Sequence, residues 1–180
     1  MAVHYINTNE LDKKAKDIKC HDEVYLSGTI YTARDAVHKK LALLIGQGQD
    51  LPLNLHNACF YYAGPTPEKD GQVIGSCGPT TSSRMDKFTP LLLDMGLIAM
   101  IGKGPRCKEV VDAIKKRGGI YFCAIGGAGA LCAKSVKSYE VIAFEELGCE
   151  SLKKMQVENF PVICAIDADG NDIFGKGQEK

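Results

Sequence analysis

The sequence predicts an α/β protein with at least partly parallel strands, and three observations carry that reading. Short apolar runs rich in β-branched and aromatic residues alternate with segments of helical periodicity along the whole chain. Most of those runs close on glycine or proline. The 180 residues contain no linker-like stretch and no internal repeat, so residues 1–180 are expected to form one domain with a sizeable core.

The elements follow in order. Residues 1–21 are polar and irregular, with a lysine-rich piece over 13–19, and read as an extended arm or an edge strand. Residues 23–28 form a short strand running into Thr29-Ile30-Tyr31. Thr32 is a candidate N-cap with Asp35 three residues on, a variant of the capping box. Ala33, Ala36, Val37, Leu41 and Leu44 then make an apolar stripe at helical spacing, ending at Gly46. Residues 58–63 are a strand closed by Gly64-Pro65, and 72–78 a weaker one. A helix is expected over 85–95, where Pro90 is tolerable only in a first turn or at a kink. Residues 97–101 form a buried strand ahead of Gly102-Lys103-Gly104. Pro105 opens a helix to Arg117, with Val110, Val111 and Ile114 inward, basic residues in its last turn and Gly118 after it. Residues 119–125 form another apolar strand, leading into Gly126-Gly127-Ala128-Gly129-Ala130 and a short helix of small residues. A strand over 141–144, a helix over 151–159 and a terminal hairpin over 161–174 complete the series.

Lys+Arg and Asp+Glu balance at 22 each, which argues against a nucleic-acid binder, where a basic excess or stripe is usual. No apolar run approaches the roughly 18 residues of a membrane span. Residues 1–19 have no continuous apolar core, so they do not read as a secretory signal, and a cytoplasmic location is expected. The eight cysteines include no C-x-x-C pair and no zinc-finger spacing with histidine. Cys59, Cys123 and Cys164 lie in strand-like segments and read as reduced, buried small hydrophobes. The alternative is a cluster held within the chain, which needs three or four thiolates converging on one point. The scattered spacing does not point that way.

Three strand-to-loop transitions place a cation beside glycine or a helix start. In Gly28-Thr29-Ile30-Tyr31-Thr32-Ala33-Arg34-Asp35, Arg34 falls where acidic residues usually complement the helix dipole. A guanidinium beside free backbone N–H groups makes a carboxylate site there; a surface Arg34–Asp35 arrangement is the plain alternative. In Gly78-Pro79-Thr80-Thr81-Ser82-Ser83-Arg84-Met85-Asp86, four hydroxyls in a row exceed what capping needs and point to anion binding; an over-capped helix start, with Ser83 or Thr81 as N-cap and Asp86 completing a capping box, is the plain alternative. In Ile101-Gly102-Lys103-Gly104, a lysine leaves the end of a buried strand, where α/β sheets bind ligands. It could equally be a solvated turn lysine.

Other features read more plainly. The glycines at 126–129 lack dinucleotide or P-loop spacing and predict a tight strand–helix turn. Asp167-Ala168-Asp169-Gly170-Asn171 lacks the terminal Glu of an EF-hand loop and predicts a hairpin turn. His21 and His38 are candidate site residues, although a lone histidine is more often structural.

Taken together and in this order, Thr29-Ile30-Tyr31-Thr32-Ala33-Arg34-Asp35-Ala36-Val37-His38, the Gly78–Asp86 string and Ile101-Gly102-Lys103-Gly104 resemble the beta subunit of class I fumarases and L-tartrate dehydratases. The same unit forms the C-terminal domain of single-chain enzymes. The resemblance runs from about residue 22 to 174, and its Gly-Pro-Thr-Thr-x-x-Arg-Met-Asp string is specific. It implies a swivelling β/β/α domain, a mixed sheet with flanking helices. It also implies reversible hydration of a small dicarboxylate (fumarate/malate first, tartrate next), aided by a four-iron–four-sulfur (4Fe-4S) cluster. Three cysteines of a partner alpha subunit hold that cluster, so this chain would bind no metal itself and would act only in a hetero-oligomer. By position, Arg34, Arg84 and Lys103 match the family's substrate-binding cations, and Thr80 its threonine for proton transfer. The chemistry is consistent, since guanidinium forks bind carboxylates bidentately and fixed cations stabilise enolate-like charge. Two other readings stay open: a non-catalytic dicarboxylate-binding or regulatory domain, and an independent iron–sulfur protein.

Overall fold

The computed structural model describes residues 1–124 and 129–175. Seven strands form one mixed sheet: β1 (Val3–Asn7), β2 (Glu23–Thr32), β3 (Cys59–Tyr61), β4 (Ala99–Gly102), β5 (Ile120–Ala124), β6 (Val136–Ala143) and β7 (Leu152–Ile166). Among the described residues five α-helices accompany them: α1 (Leu11–Lys14), α2 (Asp35–Gly46), α3 (Thr89–Asp94), α4 (Lys108–Arg117) and α5 (Gly129–Ser135). Strands β1 to β5 pair in parallel in chain order. Strand β7 is antiparallel to β2, β5 and β6. The pairings β2–β3–β4–β5–β7–β2 therefore close on themselves, leaving β1 and β6 as outer strands.

Period-two alternation explains two apolar layers. One side of the circuit gathers Val24, Leu26, Ile30, Tyr61, Ile101, Phe122, Met155 and Val162. The other carries Phe60, Tyr62, Met100 and Tyr121 against Val37 and Leu41 of α2, Leu92 and Leu93 of α3, and Val110 and Ile114 of α4. Strands buried on both faces read as continuous apolar runs, which is why β3, β4 and β5 were visible in the sequence.

Several expectations are corrected. Residues 151–159 are not a helix; they begin β7. Leu152, Met155 and Phe160 mimic helical spacing, but Lys153, Met155 and Val157 are buried while Gln156 and Glu158 are exposed. Pairing on both edges of this segment, to β2 and β6, decides the outcome over intrinsic propensity. Residues 72–78 are a loop rather than a strand, folded back so that Thr66 N–H donates to Ser76 O (3.0 Å) and Gly75 N–H to Thr66 O (3.2 Å). Thr32 is not an N-cap. It stays in β2, where its hydroxyl donates to Ser151 O (3.3 Å) and accepts from Lys153 N–H (3.2 Å).

The helix expected over 85–95 divides into a 3-10 turn (Ser82–Met85) and α3, with Pro90 in the first turn of α3. Helix α4 opens after Cys107, beyond Pro105, and closes as predicted on Gly118 in the left-handed region (φ 71°). Strand β6 begins earlier than expected, at Val136. The terminal hairpin reduces to one bridge between Ile166 and Asp172. Its turn is organised by Asp167, whose Oδ1 accepts from the amides of Asp169 and Asn171. Of the glycine cluster, residues 126–128 lie outside the described residues.

Candidate active site at the strand ends

Strands β2, β3 and β4 are parallel neighbours, so their carboxyl ends reach one edge of the sheet. The main chain stays in step beyond them. Ala33 N–H donates to Tyr61 O and Tyr62 N–H to Ile101 O, each at 2.9 Å. Arg34 therefore emerges beside Gly64, and Lys103 leaves β4 at the same level. The segment 79–82 adds to this edge. Pro79 bridges Ala63, Thr81 bridges Lys103, and Thr80 N–H donates to Tyr62 O at 2.7 Å. Arg34, Thr80 and Lys103 are thereby brought to one end of the sheet.

Arg84 sits on the 3-10 turn that follows. It is exposed and lines a groove of about 640 Å³ with Ser83, Lys87, Pro90 and Glu109. Arg34, Thr80 and Lys103 do not line that groove.

Two sequence readings change in detail. The hydroxyl run serves partly as bracing. Buried Ser82 donates its N–H to Lys103 O (3.0 Å), and its Oγ accepts from Lys103 N–H (3.0 Å) and from Tyr121 O–H (2.8 Å). The glycines around Lys103 have separate reasons. A Cβ on Gly102 would collide with Ser82 Oγ and lie 2.8 Å from the Tyr62 ring, whereas Gly104 sits at φ 82° facing open space.

The cations differ in their partners. Arg34 Nη2 pairs with Glu150 Oε1 at 2.9 Å, while its Nε is buried, has no hydrogen-bond partner among the described residues and lies 3.7 Å from Asp35 Oδ1. The side chain runs across Gly64, where a Cβ would stand 3.3 Å from Arg34 Cδ and Nη1. Among the described residues Arg84 and Lys103 join no ion pair. Both side chains are exposed.

His38 lies beneath this edge, fully buried, with Phe60 and Tyr62 edge-on at 5.7 and 5.3 Å. Its Nδ1 is 2.8 Å from Arg34 O, and its Nε2 has no partner among the described residues. Burial pushes its pKa down to about 4, against a smaller upward pull from the Arg34 carbonyl. The neutral ring thus braces the Arg34 backbone. His21 stands elsewhere, at the other end of β2, with φ 73° and its N–H on Cys164 O.

Three residues escaped the sequence reading. Glu150 carried no signal, because only the tertiary fold brings it to Arg34. Lys153 is almost fully buried without a carboxylate partner, and burial lowers its pKa. Its ammonium donates to Cys149 O (2.9 Å) and Ser151 Oγ (2.8 Å), pinning the loop that presents Glu150. Arg106 is buried against Asp86. Neither Arg106, in the stretch Gly-Lys-Gly-Pro-Arg-Cys-Lys, nor Lys153, beside Lys154, carried a local signal.

Four of the eight cysteines are withdrawn into the core, while Cys149 is exposed. Cys59, Cys77, Cys132 and Cys164 are free and buried. Burial raises the Cys77 thiol to about 12 and lifts Cys59 and Cys164 further. Cluster ligation needs thiolates, and among the described residues no group of His, Cys, Asp and Glu is arranged to hold a metal ion. No helix of the described residues is long and apolar enough to cross a membrane.

A mixed sheet that gathers glycines and cations at the carboxyl ends of its parallel strands defines the class of the protein as α/β. The chain belongs to the fumarase C-terminus family, whose model matches residues 2–177. It is 44% identical over 151 residues to the anaerobic class I fumarate hydratase of Escherichia coli, covering 83% of this chain and 28% of that protein. It is 42% identical over 155 residues to fumarate hydratase 2 of Leishmania major, covering 85% of this chain and 27% of that protein. The chain thus spans little more than a quarter of these fumarate hydratases. A putative L(+)-tartrate dehydratase subunit beta of Methanocaldococcus jannaschii is 39% identical over 179 residues, covering 96% of this chain and 92% of that one.

Proposed function

We propose that this chain is the beta subunit of a hydro-lyase that reversibly adds water to a small dicarboxylate, fumarate/malate first and tartrate next. The family membership supports the reaction class, and the near full-length match to a subunit beta supports a separate partner chain. Arg34, Arg84 and Lys103 bind the substrate carboxylates, and Thr80 takes part in proton transfer. The swivelling β/β/α class is assigned on the same resemblance. The observation that carries the reading is the meeting of Arg34, Thr80 and Lys103 at one strand edge, with Arg84 one turn away.

The 4Fe-4S cluster is assigned to the partner alpha subunit on the resemblance, and the burial of Cys59, Cys77, Cys132 and Cys164, which pushes their thiols up, supports that assignment. In such an assembly the cluster supplies Lewis-acid chemistry at the substrate. This chain's cations hold the carboxylates and offset charge developing on them. A threonine hydroxyl is a weak base, so Thr80 needs a neighbouring acceptor from the partner.

The test is anaerobic mixing with the cognate cluster-bearing chain. Fumarate or tartrate turnover should appear only in the mixture, and Arg84→Ala should raise KM at least about tenfold. An iron-loaded mixture inert toward both substrates would overturn the assignment.

A further inference from the structure

We propose that Arg106 and Asp86 are positioning residues that set Lys103 and Arg84 relative to one another and keep Arg84 free for substrate. The inference rests on the dicarboxylate-binding reading above and deepens it.

Arg106 belongs to the loop that carries Lys103, and Asp86 closes the turn that carries Arg84. The Arg106 side chain has no solvent exposure. Its Nε donates to Asp86 Oδ1 at 2.6 Å and its Nη2 to Thr89 Oγ1 at 2.7 Å. The guanidinium also lies over the rings of Tyr62 (5.4 Å) and Tyr121 (4.9 Å). Asp86 uses its second oxygen as well, accepting from Cys107 N–H at 2.8 Å. One carboxylate therefore grips both the side chain and the backbone of the facing loop. Ser82 and Lys103 complete the joint from the other side through their two hydrogen bonds.

Two physical arguments make this more than packing. A buried ion pair adds little stability over a hydrophobic pair of similar volume, so its value here is geometric. Along the chain, Asp86 is also the carboxylate nearest to Arg84. Committed to Arg106 and Cys107, it leaves the Arg84 charge unneutralised. Without Arg106, Asp86 could turn toward Arg84 and compete with a substrate carboxylate.

The test uses the full chain, alone and mixed with its cluster-bearing partner. Arg106→Met should raise KM for the dicarboxylate at least about tenfold with kcat changed less than about threefold, the signature of lost uniform binding. Arg106→Lys should recover most of the loss. In the chain alone, hydrogen exchange at the Ser82 and Lys103 amides should quicken at least about tenfold in Arg106→Met, with the strands unaffected. Should Arg106→Met fail to fold, Thr89→Val removes one acceptor of the guanidinium and should shift both readouts the same way by less.

Unchanged exchange, or an unchanged KM in an active mixture, overturns the proposal. So does an Asp86→Asn/Arg106→Met double variant with wild-type KM, which would reduce the pair to packing. Quickened exchange beside a wild-type mixture that lacks activity would instead sink the hydro-lyase reading and leave the joint standing.

Discussion

The Glu150 carboxylate stands 2.9 Å from the Arg34 guanidinium, so the site's most enclosed cation already has an internal partner. Under the proposed function, a substrate carboxylate would share that guanidinium or displace Glu150. The pair is partly exposed, with side chains 23% and 28% accessible, and such pairs contribute at most about 1 kcal/mol.

Glu150→Gln is therefore expected to tighten dicarboxylate binding by at most about fivefold, read as KM in the assembled enzyme or by calorimetry. A weakened affinity would instead assign Glu150 the task of holding Arg34 in place.

His38 gives the fold a defined acid limit. Its pKa falls from the usual 6.5 to about 4 on folding. Between those values the unfolded chain binds a proton that the folded chain refuses, so stability decreases as pH drops through that window. The loss amounts to about 3 kcal/mol. His38→Phe should flatten the melting temperature between about pH 6.5 and 4, at a neutral-pH cost of about 1 kcal/mol for the lost bond to Arg34 O. Asp22 acts lower. The Ala2 and Lys19 amides and His4 hold its carboxyl near 2. Its contribution is present above the ordinary 3.8 and is lost only as pH falls toward 2. A His38→Phe protein that melts with an unchanged acid profile would contradict this account.

Gly102→Ala forces a methyl onto Ser82 Oγ and the Tyr62 ring. The expected loss is about 1–3 kcal/mol, visible as a lower urea midpoint, together with a raised KM because the Ser82–Lys103 bonds are disrupted. Gly104→Ala meets no atoms and should cost only about 1 kcal/mol through its left-handed backbone. Equal effects at the two glycines would disprove the distinction.

Sequence patterns made the edge of the site legible because its parts are local. A buried strand ending in Gly102-Lys103, a hydroxyl run ahead of Arg84 and a helix start after Arg34 each announce themselves within a few residues. Helix α4 was equally plain, with its apolar stripe, basic last turn and Gly118. Strand β7 was not, because Lys153, Lys154 and Glu158 suit a helix and only pairing along both edges overrides them. Glu150 and Arg106 were hidden for a related reason. Their partners are Arg34 and Asp86, and no short-range rule links those positions. Thr32 was misread because a hydroxyl before a helix resembles a cap until β2 is seen to extend through it.

The ring of paired strands has a consequence for how the protein is made. Strand β7 joins β2 to β5, so a ribosome must deliver residue 166 before the ring can shut. Until then the nascent chain holds β2 and β5 with unsatisfied amides along their flanks, a template for pairing with other chains. A chain terminated between residues 144 and 152 would leave β2 and β5 without their antiparallel partner even though Arg34, Thr80, Arg84 and Lys103 had already been synthesised.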